Sequence, residues 1–211
     1  MKKWVKALLC AVLAVVLLIG GYVAYVFIDY HRLGDMELTP LHTPDADAAV
    51  QTGQPYTVIS YNIGFGAYEP DYGFFMDGGA ESRAWSRERV TANVQNIASF
   101  LKERQADFYL LQDASGKLPN AQNFYLPQEV DIGSTRTYQL DEREALYAAL
   151  FDKCSVFAQN YDSPYLMYPL NSPHGASRSG LLTFSRADIT AAERVELPVE
   201  SGFMKLLDLD R

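Results

Sequence analysis

Tyr56-Thr57-Val58-Ile59-Ser60-Tyr61-Asn62 runs directly into Ile63-Gly64-Phe65-Gly66. The first seven positions are dominated by β-branched and aromatic side chains, which suit a pleated, buried surface, and the glycines then break the pattern. The stretch reads as a buried strand that delivers Asn62 to a loop. Residues 65–84 carry Gly66, Gly73, Gly78 and Gly79 among aromatics and read as a long loop, a kind often tied to function in compact domains. Val90, Val94, Ile97 and Leu101 then recur at helical spacing, predicting an amphipathic helix over about 86–104 with Ser86 as its N-cap. Asp107 to Gln112 (DFYLLQ) reads as a second short buried strand. A helix over 141–151, strands over 154–160 and 180–186, and an alternating edge strand over 189–199 complete the pattern. The expected class is α/β in the α+β sense, with sheets in layers and helices outside.

Upstream the composition changes. From Ala7 to Ile28 there are 22 consecutive residues without a charge. As a helix they span roughly 33 Å, enough for a hydrocarbon core of about 30 Å. Lys2, Lys3 and Lys6 precede the run, which places the N-terminus in the cytoplasm, and Tyr22, Tyr25 and Tyr30 suit the far headgroup region. A cleaved signal peptide fits less well, because the apolar run is long and Val23-Ala24-Tyr25 is a poor cleavage site. The expected organisation is a cytoplasmic tip and transmembrane anchor at 1–28, a polar, proline-containing tether at 29–55, and an extracellular domain at 56–211, held at the cell membrane as a single-pass protein.

The whole chain has 211 residues, 48% apolar and 21% charged, which excludes wholesale disorder. Its formal charge is −8, and from Met36 onward 14 basic face 24 acidic residues, −10. That balance disfavours duplex DNA as the preferred substrate. Two cysteines, Cys10 and Cys154, support neither a disulfide framework nor a cysteine-based zinc site, and the three histidines show no paired metal spacing.

Asn62 closes one buried strand and an acidic residue follows the FYLLQ strand. An amide and a carboxylate at strand ends are oxygen donors of the type magnesium prefers. Asp107-Phe-Tyr-Leu-Leu-Gln-Asp113 and Asn123-Phe-Tyr-Leu-Pro-Gln-Glu129 are near copies, 16 residues apart. The first is the better strand. The second contains Pro127, which a central strand tolerates poorly, but it ends in a glutamate. An insertion or local duplication between Asp113 and Gln128 accounts for the pair.

TVISYNIGFGAY, the FFMDGG loop, FYLLQD, LPQEVDIGSTRTY and GLLTFSR together resemble the endonuclease/exonuclease/phosphatase superfamily, of deoxyribonuclease-I-like fold, and most of all its membrane-anchored bacterial members. The resemblance covers about 56–211 and implies the N-terminal part of a four-layer α/β sandwich with metal-dependent phosphoesterase activity. It implies a catalytic role for Asn62, orienting the scissile phosphate, and Mg2+ (or Mn2+) held by Glu129 or Asp113. The substrate is then a phosphate ester: a nucleic acid, a lipid headgroup or a small ester. His174 and Arg178 are candidate phosphate contacts, with a solvated turn and a surface role as their competing readings. Arg136 and Tyr138 lie near the site if Glu129 does. The family's C-terminal His and Asp motifs have no counterpart after Arg186, so the chain is expected to be an N-terminal part that does not turn over substrate unaided. The alternative is a non-catalytic remnant or membrane-tethered binding protein. Besides the membrane, the pattern calls for no obligate protein partner.

Overall fold

The structure, a computed structural model, describes residues 2–31, 33–47, 49–112 and 130–196. Among the described residues it is mixed α+β, with two sheets and three α-helices, one of them the N-terminal apolar helix.

Helix α1 (Lys3–Asp29) is long and apolar enough to cross a membrane, and only Val26 in it is buried. Its chain continues into strand β1 (Met36–Leu38), which pairs with β7 (Ala192–Arg194) in a small antiparallel sheet. The main sheet has five strands. Strands β2 (Val58–Asn62) and β3 (Phe108–Gln112) are parallel, with Val58 opposite Phe108 and Asn62 opposite Gln112. A parallel pair needs a crossover, and α2 (Arg87–Arg104) supplies it. Strand β6 (Gly175–Ser185) runs antiparallel to everything it touches. One of its edges takes β3 and then β4 (Val130–Asp131), end to end, and the other takes β5 (Cys154–Leu166) along almost its full length.

Helix α2 forms where the periodicity places it. Ser86 Oγ accepts a hydrogen bond from Arg89 N at 3.2 Å, capping the first turn, while Lys102 and Arg104 sit at the negative end of the helix dipole. Val90, Val94, Ala98 and Leu101 make its buried stripe. Ala98 and Leu101 pack with Tyr109, Leu111, Leu182, Phe184 and, from α3 (Arg143–Ala149), Leu146. Val90 and Val94 pack with Phe65, Tyr72 and Phe74 of the long loop. Helices therefore cover one face of the sheet. On its other face Val58, Leu110 and Leu181 are 56%, 42% and 41% exposed.

Several expectations need correction. Segment 29–55 is no free tether. Leu41 and Ser155 exchange backbone hydrogen bonds of 2.7 and 2.9 Å, and Asp47 bridges Arg186 and Asp188 through its own backbone. Such pairing carries no side-chain periodicity, so composition alone read it as linker. Strands β5 and β6 outrun the predicted 154–160 and 180–186, because a bulge at Asn160 interrupts the alternation and serines fill the buried positions at 163, 177 and 179. Of the predicted 189–199 edge strand, Ala192–Arg194 forms a strand, in the small sheet, and 197–199 lie outside the described residues.

Candidate strand-end site

At the C-terminal end of the parallel pair the backbone leaves β2 in a tight turn. Asn62 is half-buried there, and its Oδ1 accepts from Gly64 N at 2.8 Å, folding the chain over in an Asx turn. Ile63 N still reaches back to Gln112 O at 3.1 Å. Then Gly64, Phe65 and Gly66 take φ of +55°, +38° and +62°, three left-handed residues in succession. A Cβ on Gly66 would stand 2.6 Å from Val94 Cγ2, so only glycine lets the turn lie flat on α2. Phe65 is completely buried by this turn.

Val130 resumes the β3 edge opposite Gly180, beside the end of the Asn62 strand pair. Glu129, its sequence neighbour, and Asp113, which follows Gln112, both lie outside the described residues. The metal assignment to either carboxylate therefore stays an expectation.

Behind the strand end is a buried charged group that the sequence reading did not single out as a unit. Arg136 donates to both oxygens of Asp131, Nε to Oδ2 at 2.9 Å and Nη2 to Oδ1 at 2.7 Å, with both side chains at most 5% exposed. The guanidinium also stacks 4.2 Å above the Phe65 ring. Glu142 Oε2 accepts from Asp131 N at 2.9 Å, and Glu142 N donates to Asp131 O at 3.0 Å. Glu142 Oε1 is buried without a hydrogen-bond partner. Burial, with the neighbouring Asp131 charge, holds the Glu142 carboxyl well above the usual carboxylate range. The cluster clamps three things together: β4, the Asn62 loop and the start of α3. The signal for it was the close spacing of Asp131, Arg136 and Glu142, which indicated proximity only. Tyr138, expected nearby, donates from its hydroxyl to Ala84 O at 3.1 Å and ties in the long loop.

His174 is not a solvated turn residue. It is 5% exposed, with Nδ1 3.3 Å from Ser82 O and Nε2 2.9 Å from Ser177 Oγ, and with Phe74 and Phe75 rings beside it. Burial, aided by the Arg136 charge, lowers its pKa to about 3. It is therefore a neutral packing residue, donating from Nδ1 to the carbonyl and accepting the serine hydroxyl at Nε2. Arg178 is exposed on β6 and its backbone, through Ser134 Oγ and Ile132 N, stitches β6 to the 132–134 turn. The structure gives its guanidinium a surface position.

At the opposite end of the sheet the fold brings together His42, Cys154 and Asp188, whose ligand atoms all lie within 4.8 Å of one another. Sequence spacing could not reveal this mixed set, since the three residues come from three distant segments. His42 Nδ1 is 2.5 Å from Asp188 Oδ1, which also faces Cys154 Sγ at 3.6 Å, so the three groups satisfy one another. Their nitrogen, sulfur and oxygen donors suit a borderline metal such as zinc, not magnesium. Magnesium's hard-oxygen preference is met by the donor types at the Asn62 end: the amide here, and a carboxylate at 113 or 129 if one reaches it. Compared with known proteins, the chain matches no family model, no curated protein and no solved structure.

Proposed function

We propose that the chain is a membrane-anchored metal-dependent phosphoesterase of the endonuclease/exonuclease/phosphatase type. In this reading α1 spans the membrane with the N-terminus cytoplasmic and the domain outside, and the sheet is one half of a deoxyribonuclease-I-like sandwich. The exposed apolar face at Val58, Leu110 and Leu181 is the face such a second sheet covers.

The observation that carries the reading is the meeting of strand ends. Asn62 stands opposite Gln112, and the Val130-Asp131 pair resumes the same edge next to it. Three of the five segments on which the family resemblance rests therefore meet at one end of the sheet. Asn62 orients a phosphate oxygen there, its own amide held by the Gly64 N–H. Glu129 or Asp113 holds Mg2+ or Mn2+, which polarises the phosphate when bound. The Asp131–Arg136–Glu142 cluster is a support and not a ligand set, since its ion pair is closed and Glu142 Oε2 is taken up by Asp131 N.

A Mn2+ titration of the full chain in detergent, read by water-proton relaxation, tests this. Binding is expected, weakened at least tenfold by E129Q or by D113N; no binding, or binding indifferent to both, counts against the site. Magnesium-dependent release of p-nitrophenol from bis-p-nitrophenyl phosphate by the same sample separates an enzyme from a binding protein.

A further inference from the structure

The path of the chain fixes which end of the sheet lies near α1. Tyr22 Oη accepts from Met167 N at 2.7 Å and donates to Tyr165 O at 3.2 Å, and Tyr25 Oη accepts from Tyr165 N at 3.0 Å. His31 N donates to Asp162 O at 3.3 Å. The end of α1 is thus bonded to the far tip of the β5–β6 hairpin. The chain then runs back along β5 to the other end, where Leu41 meets Ser155. From there it enters β2 at Val58, level with Cys154 through Phe108 and Ser185. Strands β2 and β3 consequently run back toward α1, and Asn62 lies at the end nearer to it.

The hairpin tip has the chemistry of a bilayer surface. Residues 164–173 (PYLMYPLNSP) contain no charge. Tyr165, Met167, Tyr168 and Leu170 are 39%, 47%, 69% and 82% exposed. The tip is braced from behind, by Arg83 Nε donating to Pro173 O at 2.6 Å and by Phe75 against Tyr168 at 5.7 Å between ring centroids. Tyr22, its attachment point, is six residues before the end of the uncharged run of α1, or about 9 Å along the helix. The tip thus stands beside the last two turns of α1, where tyrosine hydroxyls reach toward the headgroup level that such rings favour.

Resting on the proposal that α1 spans the membrane, we infer that the 164–173 tip is a second membrane contact. It lies in the headgroup layer and holds the Asn62 end of the sheet facing the bilayer. The occupant of this apolar lip is lipid, because the lip is continuous with a helix whose own surroundings are lipid. The His42–Cys154–Asp188 end points away from the membrane.

The test places one bimane label at a time on the C10S full chain in nanodiscs containing brominated lipid, leaving buried Cys154 in place. The positions are L17C inside α1, L170C on the tip and F151C at the far end, all exposed in the fold. Quenching is expected at 17 and 170, at least threefold stronger than at 151, and is expected to fall at 170 when Tyr22 and Tyr25 are both changed to Phe. Quenching at 17 with none at 170, or equal quenching at 170 and 151, overturns the tip contact and leaves the anchor standing. No quenching at 17 overturns the anchor itself, and the contact with it.

Discussion

Leu111 and Val130 stand two stations apart on one edge of β6, opposite Leu182 and Gly180, although 18 residues separate them in the chain. Continuing the register puts Gln112 opposite Leu181, so Val130 takes the next station. The sheet treats FYLLQ and Val-Asp as one strand.

The insertion expected from the sequence between Asp113 and Gln128 then falls within one strand line. Deleting 113–128 joins Gln112 to Glu129 and leaves one extra residue opposite β6, a bulge. The sheet already carries one at this height, where Asn160 is the extra residue of β5. The deleted chain is expected to fold with unchanged far-UV circular dichroism and to be up to about 2 kcal/mol more stable, from the loop-closure entropy alone. Failure to fold refutes the insertion reading. The same variant lacks Asp113 and keeps Glu129, so retained Mn2+ binding assigns the ligand to Glu129.

The Asp131–Arg136 pair is the costliest contact to break. Removing one partner leaves the other charge buried and unpaired, and such losses run to about 3–5 kcal/mol. R136A is expected to lose that much in urea unfolding. R136K is expected to recover only part, because an ammonium cannot span both carboxylate oxygens or stack on Phe65.

These two features mark where sequence reading reached and where it stopped. Helix α2, the β2 and β3 strands and the apolar N-terminal helix were legible, because each is specified by side chains within one segment, although β2 is half-exposed where a buried strand was expected. Val90, Val94 and Leu101 announce a helix whatever lies around them. The docking of 29–55 was not legible, since Leu41 engages the sheet through backbone groups that every residue has, and the Asp47–Arg186 ion pair joins positions 139 residues apart. His174 misled for a related reason. A histidine among Ser, Pro and Gly resembles a turn residue until Phe74, Phe75 and Ser82 arrive from 90 or more residues away. Of the candidate site, Asn62 and its turn were readable, but the cluster behind it depends on where β4 lies.

The turn itself gives a sharp substitution. G66A forces a side chain onto a left-handed backbone and drives its Cβ into Val94, so a loss of about 1–3 kcal/mol is expected. G34A is the control: a Cβ there meets nothing within 4 Å, and no measurable change is expected. Thermal melts of the two variants decide it, and equal midpoints would remove the argument that this turn is packed against α2. If the Asn62 geometry matters for the metal, G66A also weakens Mn2+ binding while G34A does not.

His174 and Glu142 pull the stability curve down from opposite sides. His174 titrates near 3 in the folded protein, below the ordinary 6.5, so as pH falls the unfolded chain takes up the proton first. Its contribution is complete above about pH 6.5 and is lost progressively toward pH 3. Glu142 is displaced upward, so the folded protein keeps a proton that the unfolded chain releases. Its contribution is complete below the ordinary value of 4.5 and is lost as pH rises through the raised folded value. Urea midpoints measured from pH 4 to 9 should therefore fall at both ends. H174Q is expected to flatten the acid limb and leave the alkaline one. E142Q is expected to flatten the alkaline limb, with its advantage over the parent growing as pH rises above the ordinary value of 4.5. If E142Q instead loses stability evenly at every pH, Glu142 is ionised in the folded protein and the cluster carries two buried carboxylates on one arginine.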